Sequence, residues 1–283
     1  MVSNPQGSFQ IGQTEQIGYL GPAGTFSQQA AMLVREREKW DGELIPFSSI
    51  IELLEAADKF EIKYAVAPLE NSTEGAINIT LDSLIFELDL FIQRQIVLPI
   101  SHCLMKRAGT EKISRVYAHS QSLAQCRGYL RTHYPQALCV PLFSNAEAAR
   151  MVSEGEQSSA AIAPGFAADI YNLKVIAAGI QDQKNNFTTF IVLSGESTRI
   201  FENSKTTVAF CTNNDPGALN KILNVFSVWD INMTKIISRP FKNRPGEYVF
   251  YVELEDYNNN DLSDALKLLK RKTPFCKYLG SYA

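Results

Sequence analysis

Three groups of polar residues follow apolar runs, at places where a predicted strand gives way to a predicted helix. They are Thr25 with Ser27, Glu70-Asn71-Ser72, and His119-Ser120-Gln121. Folds built from alternating strands and helices bind their ligands beyond the carboxyl ends of the strands. The position and chemistry of these side chains therefore make them candidates for ligand binding.

Thr25 and Ser27 stand at the start of a predicted helix, directly after the glycine turn Gly21-Pro22-Ala23-Gly24. A helix N-terminus offers free N–H groups and a partial positive charge to an anion. One interpretation is a seat for a substrate carboxylate, and the other is ordinary N-capping. A phosphate-binding loop is excluded, because no Gly-Lys-Ser or Gly-Lys-Thr follows.

The other two groups offer donors and one carboxylate. Asn71 can hydrogen-bond a substrate hydroxyl or carboxylate, and Glu70 can orient a donor or act as an acid if burial raises its pKa. The alternative is an Asx-type turn in which Ser72 or Thr73 caps a helix. Gln121 is the stronger candidate of its group, because an amide donates to a carboxylate without adding charge.

His119 and Ser120, which precede Gln121, can have structural roles instead of a role in ligand binding. His119 can be a structural histidine at the end of a strand, and Ser120 can cap the next helix.

Strands and helices alternate along most of the chain, which predicts parallel sheets with helices on both faces. Two such α/β units are joined by a β-rich segment, Phe91 to Met105. Joining two lobes in this way places a ligand in the cleft between them. The first unit begins at Ile17, and residues 1–16, which have no apolar stretch, are predicted to be a flexible tail.

A polar linker, residues 196–205, separates these lobes from a segment with a different pattern. From Thr206 to the end, the order strand, helix, strand, strand, helix, strand is predicted, which is the ferredoxin-like βαββαβ motif. The predicted domains are therefore 17–195 and 206–283.

Composition excludes several classes of protein. The 283 residues carry a formal net charge of −3 and no long Lys/Arg run, which argues against nucleic-acid binding. No segment has the ~18 consecutive apolar residues of a membrane span, and the start of the chain does not resemble a secretory signal. The five cysteines are odd in number and never form C-x-x-C, which predicts reduced thiols and a cytoplasmic protein. The three histidines show no metal-ligand spacing, so no metal site is expected.

Several segments in order resemble the prephenate dehydratase family. They are Gly21-Pro22-Ala23-Gly24-Thr25-Phe26-Ser27, Ala67-Pro68-Leu69-Glu70-Asn71-Ser72, Thr80-Leu81-Asp82, His119-Ser120-Gln121 with Leu123-Ala124-Gln125-Cys126, Ala160-Ala161-Ile162-Ala163, and Ile180-Gln181-Asp182. The C-terminal part resembles an ACT domain through Gly217-Ala218-Leu219 and Ser238-Arg239-Pro240.

The resemblance implies a two-lobed catalytic domain like that of periplasmic binding proteins, followed by an ACT regulatory domain. It implies a lyase of phenylalanine biosynthesis that takes prephenate to phenylpyruvate, carbon dioxide and water, without a cofactor. It also implies a homodimer or homotetramer in which phenylalanine, as effector, binds between two ACT domains. The effector residues would be Gly217, Ala218, Leu219, Ser238, Arg239 and Pro240.

By the same resemblance, Thr188 supplies the hydroxyl that assists departure of hydroxide, and Phe190 walls the pocket. The residue-level alternative for Thr188 is a β-branched residue that starts a strand. Asn185 or Asn186 takes the place of the family's asparagine.

Two positions depart from the family pattern. Thr189 replaces an arginine that the resemblance implies would hold a substrate carboxylate. Three alternatives follow: another cation substitutes, with Lys184 the closest in sequence, or the substrate is held differently, or activity is reduced. Ile237 replaces the glutamate of the ACT motif, so a structural dimerisation domain is the alternative to an amino-acid sensor. Use of arogenate, decarboxylation without aromatisation, and a non-catalytic amino-acid sensor therefore stay open.

Overall fold

The computed structural model describes residues 16–155, 158–201, 203–241, 244 and 246–283. The predicted N-terminal tail lies outside these ranges except for Gln16. The described chain forms two α/β lobes and a C-terminal α/β unit. Within those ranges, no helix is long and apolar enough to cross a bilayer.

The first lobe is a mixed sheet covered by helices. Its strands are β1 (Ile17–Leu20), β2 (Leu44–Phe47), β3 (Tyr64–Asn71), β4 (Gly75–Ala76), β5 (Phe91–Pro99) and β11 (Phe187–Ser194). Its helices are α1 (Phe26–Glu38), α2 (Ile50–Asp58) and α3 (Asn78–Asp82), the last followed by a π-helical turn, Ser83–Glu87. The sheet order is β2-β1-β3-β11-β5, with β4 beside β3. The hydroxyl groups of Thr25 and Ser49 cap α1 and α2 by accepting main-chain N–H groups.

The second lobe is a five-stranded sheet with order β10-β6-β9-β7-β8. Its strands are β6 (Cys103–Lys106), β7 (Arg115–His119), β8 (Leu138–Leu142), β9 (Ser159–Ala163) and β10 (Lys174–Ala178). Its helices are α4 (Ser120–Gln125), α5 (Arg127–His133), α6 (Asn145–Glu154) and α7 (Ala167–Ile170).

The chain passes between the two lobes twice, through residues 100–102 and 179–186. The two passages lie side by side: Ile100 N donates to Asn186 O at 2.9 Å, and Ile180 N donates to His102 O at 3.1 Å. The lobes are thus joined by a pair of hydrogen-bonded connections. Side chains on these connections lie where the lobes meet.

The C-terminal unit is a four-stranded antiparallel sheet with two helices. Its elements are β12 (Lys205–Cys211), α8 (Ala218–Ser227), β13 (Asn232–Pro240), β14 (Tyr248–Glu255), α9 (Asn259–Lys272) and β15 (Phe275–Tyr282). The sheet order is β13-β14-β12-β15, and the element order is the predicted βαββαβ.

One face of this C-terminal sheet packs against the first lobe. Buried residues of α2, β3 and β11 form a single apolar cluster with residues of the C-terminal sheet, including Tyr251 and Leu279. Gly280 marks the closest approach, because a Cβ at that position would stand 2.5 Å from Ile92 O. The two units therefore share one core.

The sheets differ from the parallel arrangement predicted from the alternation of strands and helices. β1, β2 and β3 are parallel, but β11 is antiparallel to both β3 and β5. The reason is topological: β5 follows β3 through α3 and runs parallel to it, whereas β11 enters from the second lobe and runs back between them. In the second lobe, Cys126 separates α4 from α5.

Candidate functional site

Asn71 and Thr188 form the centre of the candidate site. Asn71 ends β3, Thr188 lies near the start of β11, and the two are directly opposite each other in the antiparallel register. Asn71 Nδ2 donates to Thr188 Oγ1 at 2.8 Å. The orientation of this amide is fixed, because Asn71 Oδ1 accepts the main-chain N–H of Thr73 at 3.0 Å, and an N–H group can only donate. Thr188 Oγ1 is therefore an acceptor towards Asn71, and its own proton is left for another acceptor.

Asn186 extends this contact towards the second lobe. Its side chain is 2 % exposed. Its Oδ1 accepts from Asn71 Nδ2 at 3.3 Å and from Ser72 Oγ at 3.4 Å, and its Nδ2 donates to Gln125 Oε1 at 3.2 Å. Of the two candidate asparagines, Asn186 is the one in the cluster, whereas Asn185 is exposed.

Gln125, from the end of α4, closes a ring of hydrogen bonds. Its Nε2 donates to Thr73 Oγ1 at 3.2 Å, and Thr73 Oγ1 in turn donates to Asn71 Oδ1. The ring runs Asn71, Asn186, Gln125, Thr73 and back to Asn71, and every bond in it points the same way. Such chains of hydrogen bonds polarise one another in a partly buried setting. We call these four residues the amide ring.

A cavity of about 370 Å³ lies beside the amide ring, within the range for small-molecule sites. It is lined by Thr73, Glu74, Gln121, Ala124, Gln125, Gln181, Asp182, Gln183 and Asn186. These lining residues come from both lobes and from the second connection, so the cavity lies between the lobes, as predicted. They offer amides and hydroxyls, and none of the lining residues is a lysine or an arginine. A negatively charged ligand here meets neutral donors, with two carboxylates, Glu74 and Asp182, also in the lining.

The other predicted site residues take mainly structural contacts. Thr25 Oγ1 accepts the Gln28 N–H and donates to Leu20 O at 2.9 Å, so both of its hydrogen-bonding functions serve the helix start. Ser27 is buried. His119 Nδ1 accepts the Gln121 N–H at 3.4 Å as the cap of α4, and Ser120 is exposed.

Two further predicted residues support the strands around the cluster. Ser72 Oγ accepts the N–H of Phe187 at 2.9 Å and so holds the end of β3 to β11. Phe190 does not wall the cavity: it is 2 % exposed and packs in the core beneath α1 with Ile17 and Tyr19. The expectation for Phe190 is corrected because its side chain points into the lobe from a position further along β11.

Glu70 lies apart from the amide ring, which corrects the expectation that it acts beside Asn71. Adjacent residues on a strand face opposite sides of the sheet, and Glu70 faces the C-terminal unit. There its Oε2 accepts from Lys235 Nζ at 2.6 Å. Lys235 also lies 3.4 Å from Oε1 of the buried Glu253.

Position 189 faces the same way as Glu70, since Thr189 and Glu70 are cross-strand partners. The cation found on that face is Lys235 of β13, and Lys184, the candidate suggested by sequence proximity, is exposed on the second connection. A residue at position 189 therefore points away from Thr188.

We expect Thr189→Arg to leave KM for the substrate within about twofold of its original value. The new guanidinium would meet Glu70 and Lys235 on the far face of the sheet, and would not reach the cavity. Steady-state kinetics check this, with Thr189→Gln as a control of similar length without the charge. A KM lowered about tenfold by arginine alone would contradict the geometry.

The six residues predicted to bind an effector are divided between different surfaces. Gly217 precedes α8 with φ +74°, and Ala218 and Leu219 begin the helix. Ser238 and Pro240 are exposed on β13, an edge strand of the described sheet.

Arg239, which alternates with Ser238 and Pro240 along β13, faces the first lobe. It donates to both carboxylate oxygens of Asp82, at 2.8 and 3.0 Å, and to Asn78 at 2.8 Å. Its guanidinium joins the two units, which corrects its expected direct contact with an effector.

Gln125, Thr73 and His102 were missed as site residues. Gln125 follows Gln121 by four residues, a spacing that places both on one face of a helix, and this signal could have identified it. His102 gave no comparable signal, because it lies on a connection whose path depends on both lobes. Its Nε2 is 2.9 Å from Gln125 Oε1.

Comparisons with known proteins agree on one family. Residues 17–198 match the family model for prephenate dehydratase. A prephenate dehydratase of Lactococcus lactis subsp. lactis (strain IL1403) is 38 % identical over 275 residues, covering 94 % of this chain and 97 % of the relative. The crystal structure of a prephenate dehydratase from Arthrobacter aurescens in complex with L-Phe has a TM-score of 0.85 and 34 % identity, covering 95 % of this chain and 89 % of that one.

A second solved structure carries a different description. GqqA, described as a novel type of quorum quenching acylase, has a TM-score of 0.81 and 25 % identity, covering 94 % of this chain and 97 % of that one.

Proposed function

The chain belongs to the prephenate dehydratase family. We propose that Thr188 and the amide ring carry out the dehydratase reaction in this chain. This enzyme is a lyase, and takes prephenate to phenylpyruvate, carbon dioxide and water in phenylalanine biosynthesis. The observation that carries the assignment is the direction of one hydrogen bond. Asn71 donates to Thr188 Oγ1, so the hydroxyl proton of Thr188 remains for the substrate.

The reaction is a decarboxylative 1,4-elimination. The bond between the ring carbon and its carboxylate breaks, its electron pair enters the ring, and the para hydroxyl leaves as the ring becomes aromatic. A donor aimed at the departing oxygen stabilises the charge that develops there. A threonine is a weak acid, so Thr188 donates a hydrogen bond to the leaving oxygen, and the proton that completes the water comes from solvent.

Neutral donors suit the end of the substrate that carries the departing carboxylate. A carboxylate paired tightly with a cation holds its electrons, which opposes their movement into the ring. The residues lining the cavity offer amides, among them Gln121, Gln125 and Asn186, and no basic side chain. These groups can orient the substrate without stabilising the carboxylate that must leave. Glu74 and Asp182 are the acidic members of the lining.

Purified protein given prephenate tests the proposal. We expect phenylpyruvate, detected by its ultraviolet absorbance in alkali, at a rate that saturates with prephenate. Arogenate in a parallel assay would identify a preference for the amino form. Consumption of prephenate without phenylpyruvate would indicate decarboxylation without aromatisation. No turnover of prephenate or arogenate, with phenylalanine binding retained, would indicate a sensor and contradict the enzyme assignment.

An acylase function is a further alternative, because of the likeness to GqqA. Hydrolysis through Thr188 as a nucleophile needs a general base to take its proton. Its hydrogen-bond partner, Asn71 Nδ2, is an amide nitrogen that donates and cannot accept a proton. The amide ring therefore favours elimination over acyl transfer. An N-acyl-homoserine lactone assayed beside prephenate distinguishes the two reactions.

The C-terminal unit is, in this proposal, an ACT domain that senses phenylalanine in a homodimer. The βαββαβ order and the Phe-bound Arthrobacter relative support this assignment. β13 provides the route to the active site, because Ser238 is exposed on one side while Lys235 and Arg239 bind the first lobe on the other. Lys235 binds Glu70, the residue next to Asn71. Movement of β13 on effector binding would thus reach the amide ring.

We expect Lys235→Met to weaken inhibition by phenylalanine while the uninhibited rate stays close to its original value. The variant removes the ion pair between β13 and β3, so a shift of β13 no longer pulls on Asn71. Coupling of 1–3 kcal/mol, the usual range, corresponds to a shift of roughly 5- to 150-fold in the inhibiting concentration. Phenylalanine titrations of prephenate turnover measure the shift.

Lys267→Met is the matched control for that variant, because the Lys267–Asp264 pair lies on the exposed face of α9. Calorimetry should find phenylalanine binding retained in both variants. Inhibition that is unchanged in Lys235→Met would contradict this route.

A further inference from the structure

His102 is buried beside the amide ring, on the first connection between the lobes. Its side chain is 2 % exposed, and its Nε2 lies 2.9 Å from Gln125 Oε1. Its main chain is held on both sides, since its N–H donates to Gln181 Oε1 at 3.0 Å and its carbonyl accepts from Ile180. The ring of Phe26 meets the imidazole edge to face, with centroids 5.5 Å apart. The imidazole is therefore fixed in place.

The directions of the neighbouring hydrogen bonds determine which imidazole nitrogen carries the proton. Gln125 Oε1 accepts from Asn186 Nδ2, so it is the oxygen of that amide that faces His102. An amide oxygen cannot donate, and His102 Nε2 must therefore carry the hydrogen. Nδ1 has no partner among the described residues, so a second proton there would be a buried donor without an acceptor. The arrangement thus suits the neutral ring, in agreement with burial, which lowers the pKa of His102.

A flip of the Gln125 amide would break its hydrogen bonds with His102 and with Asn186. Its NH₂ group would then face both His102 Nε2–H and Asn186 Nδ2, so donors would face donors. Asn186 could relieve this only by flipping as well, which would bring its NH₂ group against Asn71 Nδ2. Asn71 cannot follow, because the N–H of Thr73 holds its oxygen. The orientation of Gln125 therefore matters for the whole ring.

We propose that His102 is a positioning residue for the dehydratase reaction, whose Nε2–H holds the Gln125 amide in the one orientation that keeps the ring closed. It acts through Gln125 and does not touch the substrate. The closed ring keeps Asn186 Oδ1 turned towards Asn71 Nδ2 as its second acceptor, and so holds in place the amide that donates to Thr188. This inference rests on the proposed function, and it assigns His102 a role in the rate of the chemical step.

Kinetics of two His102 variants test the role. His102→Leu removes the donor with a side chain of similar size, and we expect kcat to fall about tenfold or more, the effect of one net hydrogen bond, with KM within about threefold. His102→Gln supplies an N–H donor near the position of Nε2, and we expect it to recover most of kcat. His133→Leu, at an exposed histidine of α5, is the matched control and should keep the original kcat. Undiminished kcat in His102→Leu, or no recovery in His102→Gln, would overturn the proposal.

A double-variant cycle separates this role from a general structural one. In the Gln125→Leu background, His102→Leu should lower kcat no further, because its partner is already gone. If the losses of kcat in the two single variants multiplied in the double variant, His102 would not act through Gln125.

Nitrogen-15 NMR of the histidine rings gives a readout that does not depend on turnover. We expect His102 as the neutral Nε2–H tautomer, and the Nδ1–H tautomer would overturn the proposal. A wild-type protein that has the expected tautomer but no activity on prephenate would instead contradict the proposed function.

Discussion

Replacing Thr188 by valine is expected to lower kcat for prephenate about 100- to 1000-fold, the usual cost of removing one donor aimed at developing charge. Valine keeps the branched shape, so it fills the same space at the start of β11. It cannot accept from Asn71 Nδ2 or donate to a leaving oxygen. KM should change little, because the lost interaction forms mainly as the hydroxide departs. Stopped assays of phenylpyruvate formation measure the effect.

Two variants serve as controls for that result. Thr188→Ser retains the hydroxyl and should keep kcat within about tenfold of the original. Thr189→Val makes the same chemical change one residue along, on the face turned towards Glu70, and should leave kcat close to the original. Equal losses of rate and of phenylalanine binding in Thr188→Val would indicate misfolding. A Thr188→Val enzyme with full kcat would remove Thr188 from the reaction.

Replacing Asn71 by aspartate is expected to lower kcat/KM for prephenate at least about 1000-fold, the larger of the two losses. The carboxylate has nearly the shape of the amide but can only accept hydrogen bonds when ionised. The Thr188 hydroxyl would then turn its proton towards Asp at position 71 and away from the substrate. A negative charge beside the cavity would also repel a dianionic substrate. The first effect lowers kcat and the second raises KM, so both lower kcat/KM.

The pH dependence distinguishes this cause from unfolding. Protonation of the new carboxylate removes its charge, so the loss in Asn71→Asp should lessen as pH falls towards the ordinary pKa of an aspartate, about 3.9. Thermal unfolding of Asn71→Asp and the original protein, measured at the same pH values, is the control. If the loss of kcat/KM in Asn71→Asp did not change with pH while the variant unfolded at the same temperature as the original protein, the negative charge would not be its cause.

Asn71 could be anticipated from its place after a recognisable strand, and Thr188 from the resemblance to the family. Which way their neighbours face could not. Glu70 and Thr189 are adjacent to the two central residues in sequence, yet both point to the C-terminal unit, since alternation along a strand reverses the face at each residue. The register that pairs the two strands, including its irregularity after Thr189, is a tertiary feature.

Other parts of the site depended on how distant segments meet. The contact of Arg239 with Asp82 joins residues far apart in sequence, and a motif that resembles an effector site gave no indication of it. The sequence favoured Gln121 over Gln125, although both lie on α4. Which of the two amides contacts Asn186 depends on how the two lobes pack against each other. The mixed sheet of the first lobe has the same origin, as β11 takes its direction from the return of the chain from the second lobe.

A crystal structure with a bound, unreactive analogue of prephenate tests the central claim most directly. The analogue should keep the ring hydroxyl and lack the carboxylate that leaves, so that no elimination can follow. We predict that its hydroxyl oxygen lies about 2.5–3.0 Å from Thr188 Oγ1, as in an O–H···O hydrogen bond. Asn71 Nδ2 should still donate to Thr188 Oγ1. An analogue bound between the lobes with its hydroxyl more than about 4 Å from Thr188, beyond the reach of a hydrogen bond, would contradict the account.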